Sequence, residues 1–153
     1  MAGASNDALS GDPMIGAHFE VSVGSVTGYF TEVSGLGSES EVVEHKIIAK
    51  GAKESIIRKI PGRLKWGDIT LKRGITKNLD MYNWRKQVEQ GKVDSARLDG
   101  TIIMYDQTMT PVAEWTFTKG WPSKISGPSL QADGNAVGVE ELTIVHEGIK
   151  RVK

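Results

Sequence analysis

The sequence predicts a mainly β protein, an antiparallel β-sandwich or β-barrel of about seven or eight strands with one short helix. Three observations carry that expectation. Short runs that alternate apolar and polar residues recur along most of the chain. Gly- and Pro-containing breaks, such as Pro61-Gly62 and Gly127-Pro128, separate them. Only one window, Leu79, Met81, Tyr82, Trp84 and Val88, has helical spacing.

The elements follow in order. Residues 1–13 are small and polar and read as a flexible arm ending at Pro13, so one domain is expected over 14–153. In His18–Val23 the residues Phe19, Val21 and Val23 share one face, with His18, Glu20 and Ser22 on the other. Gly24–Gly28 reads as a turn and Tyr29–Val33 as a second strand, which makes a hairpin. Glu39–Ile47 is unusually polar, since Glu39, Glu41, Glu44, His45 and Lys46 leave only Val42 and Val43 as interior apolar members. Such a strand must show at least one face to water or to a partner's charges. Ile48–Ile60 has no clean period and reads as a long excursion, a protruding hairpin that ends at Pro61-Gly62. Ile69–Arg73 alternates again. A helix is expected over about residues 78–90, with Asn78 or Thr76 as cap, Asp80 in the first turn and Gly91 at the C′ position. Asp99–Asp106 and Val112–Lys119 form a second hairpin around Gln107–Pro111. Ser123–Gly134 reads as a loop and Val137–Glu147 as the last strand, with Leu142, Ile144 and His146 on one face. The expected core includes Phe19, Val21, Trp115, Phe117, Trp121, Leu142 and Ile144.

Composition excludes several function classes. The formal net charge is +0, so there is no global basic field to hold nucleic acid and little self-repulsion to keep copies apart. Cysteine is absent, which removes disulfides and thiolate metal sites. No apolar run reaches the ~20 residues that span a bilayer, and no Sec-type signal opens the chain, so stable membrane insertion is not expected. The only histidines, His18, His45 and His146, sit in separate strands and read as surface or core residues. His146 and Glu147 are strand neighbours pointing to opposite faces, so they cannot share a metal from there. Glycines 24, 28, 35 and 37 open no helix and offer no phosphate-loop lysine. No catalytic, metal or cofactor residues emerge.

Two segments remain as functional candidates. Glu39, Glu41 and Glu44 stand on the polar strand, whose plain reading is an ordinary solvated face. Lys46, Lys50, Lys53, Ile56, Ile57, Arg58 and Lys59 form a net-positive stretch around an apolar pair, with no aromatic to stack on a base.

Several motifs taken together resemble the tube-protein family of contractile phage tails and phage-tail-like injection systems. They are Gly16-x-His18-Phe19-x-Val21, Gly28-Tyr29-Phe30-x-Glu32-Val33-Ser34-Gly35-Leu36, Ile57-Arg58-Lys59-Ile60-Pro61-Gly62 and Ile69-Thr70-Leu71-Lys72-Arg73-Gly74. Tyr82-x-Trp84, Trp115-x-Phe117, Gly120-Trp121-Pro122-x-Lys124, Gly127-Pro128-x-Leu130 and Glu141-Leu142-Thr143-Ile144-x-His146-Glu147-Gly148 continue the series in order. The approach to the last strand, Gly134–Val139, departs mildly from the family pattern.

The resemblance implies a non-enzymatic, cofactor-free subunit of homohexameric rings stacked into a hollow tube inside a contractile sheath. If each subunit supplies four strands to one barrel, twenty-four strands at roughly 4.8 Å give a circumference of about 115 Å and a diameter of about 37 Å. It further implies sheath, baseplate or tube-initiator and tape-measure proteins as partners, and an effector protein or DNA as cargo in the lumen. The stretch Lys46–Lys59 then falls in a subunit or ring interface, and Glu39, Glu41 and Glu44 become candidates for the wet lining of the channel. Assembly would be cytoplasmic, with release of the particle by lysis. Two alternatives stay open at this point: the related tube of a type VI secretion system, and a small β-sandwich binding module.

Overall fold

The computed structural model describes residues 18–24, 26–48, 50–51, 54–75, 77–128 and 138–153. The expected arm 1–13, Lys53, the Thr76 cap and residues 129–137 lie outside the described residues. The elements run β1 (His18–Val23), β2 (Val26–Phe30), β3 (Glu32–Ser34), β4 (Ser38–Ile47), β5 (Ile56–Trp66), β6 (Ile69–Gly74), α1 (Asp80–Glu89), α2 (Val93–Ala96), β7 (Leu98–Tyr105), β8 (Pro111–Ser126), β9 (Val139–Val145) and β10 (Gly148–Arg151). The fold is a sandwich of antiparallel strands and not a closed barrel, with the strand order β2-β1-β7-β8-β9-β6-β3 and β10 beside β8.

Strand β8 creates the sandwich because it belongs to both layers. Residues 111–120 pair with β7, and Trp121–Ser126 pair with β9. Between the two parts Lys119 adopts φ 50°, a left-handed conformation uncommon outside glycine. Its N–H donates to Asp99 Oδ1 at 3.0 Å, and the Glu147 N–H donates to the Thr118 carbonyl at 3.0 Å. The corner is therefore held from both sides. A second crossing occurs at Thr31, whose N–H and hydroxyl both donate to the Lys72 carbonyl. The expected single strand Tyr29–Val33 thus splits: Phe30 ends β2 in one layer, and β3 pairs with β6 in the other.

The core lies between the layers. Val21, Val23, Val26, Phe30, Ile102 and Phe117 project from one side, and Ile69, Leu71, Leu142 and Ile144 from the other; all are buried. Phe19 and Trp115 pack half-buried against them. Trp121, expected in the core, lies elsewhere. Its neighbours Gly120 and Pro122 are buried, and strand alternation turns Trp121 to the opposite, half-covered face. Gly100 and Gly120 are needed for space, since a Cβ at either would stand 2.3 or 2.4 Å from the Phe117 ring.

Strand β8 also runs through the expected loop at Ser123. Pro122 does not stop it because the carbonyl of this residue points away from β9, toward the Arg85 guanidinium that donates to it at 3.1 Å. The N–H that proline lacks would point the same way, so no ladder bond is lost. That same contact seats α1 on the sheet. Trp84 fixes the other side, its indole N–H donating to the Ala96 carbonyl at 2.7 Å in the short, unforeseen α2. Gly91, with φ 80°, closes α1: its N–H bonds Val88 O and the next N–H, of Lys92, bonds Gln87 O.

One row of the core is ionic. Arg73 and Glu140 face each other across β6 and β9, Nε to Oε2 at 3.2 Å, with side chains 7% and 2% exposed. The guanidinium also sits 5.2 Å from the Phe30 ring centroid, and its Nη2 has no acceptor. A buried pair gains little over apolar residues of similar size, but removing one partner strands the other charge. Glu140→Ala is expected to lower stability by about 3–5 kcal/mol in chemical denaturation; a loss under ~1 kcal/mol would contradict this reading of the pair.

Tyr105, at the end of β7, donates its hydroxyl to Glu20 Oε2 at 2.5 Å. That bond first, and burial second, push the phenol up to about 12. The bond's contribution is then complete below the ordinary phenol range and is lost as pH climbs through about 12. Absorbance titration of the three tyrosines should show one ionising later than the others, and Glu20→Gln should bring it forward.

Candidate assembly surface

Strands β4 and β5 form a separate two-stranded sheet that leaves the sandwich. At about 3.3 Å per residue its ladder is on the order of 30 Å long. Its registers are Ser38↔Trp66 at the base and Ile47↔Ile56 near the tip. The expected excursion over Ile48–Ile60 is therefore only the outer part of a longer hairpin. Pro61-Gly62 does not end it. Between Ser40 and Val42 the register shifts, so β5 spends one extra residue there, a bulge at which a proline on a strand with one partner is tolerated.

Every residue of β4 and β5 except the half-covered Ile47 and Trp66 is exposed. This includes large apolar side chains: Val42 is 64% exposed, Ile56 61% and Ile57 53%. The register sorts them. One face carries Glu39, Glu41, Lys65, Val43, Ile60, His45, Arg58 and Ile56; the other carries Leu64, Val42, Pro61, Glu44, Lys59, Lys46 and Ile57. Both faces are thus apolar and charged together. Among the described residues, β4 and β5 also pair only with each other, so half of each strand's backbone N–H and C=O groups point outward without a ladder partner.

This geometry divides the residues singled out from the sequence. Glu39 and Glu41 share a face, and Glu41 pairs with Lys65 at 2.7 Å; Glu44 stands on the opposite face, across from Lys59. Three carboxylates expected on one lining are on two. Lys46, Ile57 and Lys59 share a face, while Ile56 and Arg58 take the other. Lys50 lies exposed at the tip. Sequence reasoning missed Ile60 and Leu64 in β5, whose alternation was hidden by reading Pro61-Gly62 as a terminus, and named Val43 without making it a candidate.

The base of the hairpin is built from glycines. Gly35 has φ 83°, and a Cβ there would meet the Asp68 carbonyl oxygen at 1.8 Å. Gly67 donates its N–H to Gly37 O at 3.0 Å. The two chain segments that enter and leave the hairpin are therefore pressed backbone to backbone. A groove of about 550 Å³ lies beside them, lined by Gly35–Glu39 and Lys65–Gly67.

Chemistry is sparse elsewhere. His18 and His45 are exposed, and His146 is buried. Among the described residues no group of three or more His, Asp or Glu stands within reach of a common metal ion, and no helix is long and apolar enough to cross a membrane.

No curated protein sequence matches the chain. A chain of the sheath-tube complex of the PVC extracellular contractile injection system, in its extended state, superposes with a TM-score of 0.79 at 23% identity, over 97% of each chain. A chain of the anti-feeding prophage tube-terminating cap gives 0.77 at 23% identity, covering 99% of this chain and 98% of the other. Hcp1 of Flavobacterium johnsoniae gives 0.54 at 13% identity, covering 88% and 94%. At these identities the structures establish a shared fold. The family profile described as T4-like virus tail tube protein gp19 matches residues 16–150, nearly the whole chain. The chain belongs to the T4-like tail tube protein family.

Proposed function

We propose that this tail tube protein works as a purely structural subunit, and that β4–β5 is the element by which copies join into rings and rings into a hollow tube. The observation that carries this is the bare hairpin. An isolated two-stranded ladder is marginal in water, and this one exposes apolar side chains on both faces and open backbone on both edges. Neighbouring copies would cover the apolar residues and complete the ladders, leaving no free edge to aggregate.

In this reading homohexameric rings stack inside a contractile sheath, starting from a baseplate or initiator, with a tape-measure protein setting length and an effector protein or DNA as cargo. No bond chemistry is involved. Assembly takes place in the cytoplasm, and the finished particle leaves by lysis. Glu39 and Glu41, on one face with Lys65, supply wet wall toward the lumen. Glu44, opposite Lys59, belongs with Lys46 and Ile57 on the side that meets a neighbouring subunit. Lys50, exposed at the tip, lies toward the next ring.

Ile57→Asp and Val43→Asp test the two faces separately. Each puts a carboxylate where an apolar contact would form, at a cost of several kcal/mol per buried unpaired charge. Both variants should remain folded, with circular dichroism like the parent, yet form no tubes in negative-stain images at concentrations at which the parent does. Normal tubes from both would refute the role given to the hairpin.

A further inference from the structure

Beside Glu147, which holds the corner of β8, His146 is one of three polar or charged residues buried in the described structure, at 7% exposure. It stands in the turn between β9 and β10. The Gly148 N–H donates to its Nδ1 at 3.1 Å, so Nδ1 offers its lone pair and the ring proton is on Nε2. Nε2 lies 2.9 Å from the Gly67 carbonyl oxygen and donates to it. The ring packs between Trp66, at 6.2 Å, and Phe117, at 6.1 Å between centroids. Trp66 is the last residue of β5, and Gly67 binds Gly37, which directly precedes β4. Phe117 is the central side chain of the sandwich core. One imidazole thus ties the base of the hairpin to the body of the fold.

We infer that His146 is the positioning residue of the assembly hairpin: its bond from Nε2 to the Gly67 carbonyl fixes the direction in which β4–β5 leaves the sandwich. This rests on the hairpin's being the joining element. The physical reason for such a device is entropic. A hairpin free to swing about a glycine base must be ordered each time a copy is added, and that loss is subtracted from the contact energy. A base already held in the monomer removes it. The imidazole suits the task because its two nitrogens lie on opposite sides of a rigid ring, so fixing Nδ1 on Gly148 aims Nε2.

Two substitutions separate this role from simple support of the β9–β10 turn. His146→Asn keeps an acceptor at the position of Nδ1 for Gly148 but is too short to reach Gly67. His146→Phe keeps the packing against Trp66 and Phe117 but makes neither bond. Tube formation would be measured by sedimentation against protein concentration, and amide hydrogen exchange would be followed in the unassembled protein. Both variants should need tenfold or more protein to form tubes. Exchange at the Gly67 amide should quicken at least tenfold, while Leu142 and Ile144 in β9 exchange as in the parent. His146→Asn assembling at the parental concentration would overturn the inference, since the ring would then serve only its own turn. If neither variant folds, the parent decides: Gly67 protected together with β9 supports the tether, and Gly67 exchanging as fast as the hairpin tip overturns it. A parent that forms no tubes would instead defeat the proposed function, and the Gly67 exchange comparison would still judge the tether.

Discussion

Backbone N–H and C=O groups in a strand need partners, and apolar side chains need cover. Most of this chain satisfies both needs internally, because β8 is shared by two layers that close over one core. Among the described residues, strands β4 and β5 satisfy neither. They pair only with each other, and apart from Ile47 and Trp66 their side chains meet water on both sides. The rest of the molecule is arranged around that unfinished piece, which is why the sandwich is best understood as a base from which a hairpin is presented.

The base is rigid for identifiable reasons. Lys119 turns β8 from one layer into the other, and the hydrogen bonds from its N–H to Asp99 and from the Glu147 N–H to the Thr118 carbonyl hold that turn. Phe117 fills the space left by Gly100 and Gly120 and reaches His146, which holds Gly67 at the foot of the hairpin. Core packing, the corner of β8 and the direction of the hairpin are thereby linked through adjoining side chains. Segments in which the sequence resembles the tube family fall along this chain of contacts: Gly120-Trp121-Pro122 at the corner, His146-Glu147-Gly148 at the tether, Ser34-Gly35-Leu36 at the foot.

Much of the fold was legible in the sequence because alternation is a direct record of burial. Phe19, Val21 and Val23, or Leu142, Ile144 and His146, name their own face. Asp80 in the first turn of α1 and Gly91 at its end were equally readable, but the N-cap is Leu79, which makes no side-chain cap bond, and Asn78 stands one residue before it, accepting from the Asp80 N–H. What was hidden has physical causes. The split at Thr31 depends on a bond to Lys72, 41 residues away, that no local pattern announces. Pro61 read as a stop, and the strand before Pro122 was ended at Lys119, because a proline's tolerance depends on which strand side lacks a neighbour. Glu44 was grouped with Glu39 and Glu41 by composition, although its even place in the alternation already set it on the other face. Trp121 was placed in the core by its size, and its buried neighbours Gly120 and Pro122 are what exclude it. The outline of the assembly surface was visible as a polar strand followed by a basic, aperiodic stretch; its two-faced character needed the register.

The central claim is that the hairpin is completed by other copies of the same chain. Hydrogen exchange compared between unassembled protein and assembled tubes addresses it residue by residue. Completion predicts that the outward-pointing amides of β4 and β5, fast in the free protein, slow by orders of magnitude in tubes, while the β9 amides are protected in both. Hairpin amides exchanging equally fast in tubes and in free protein would show that copies join elsewhere, and would contradict the account.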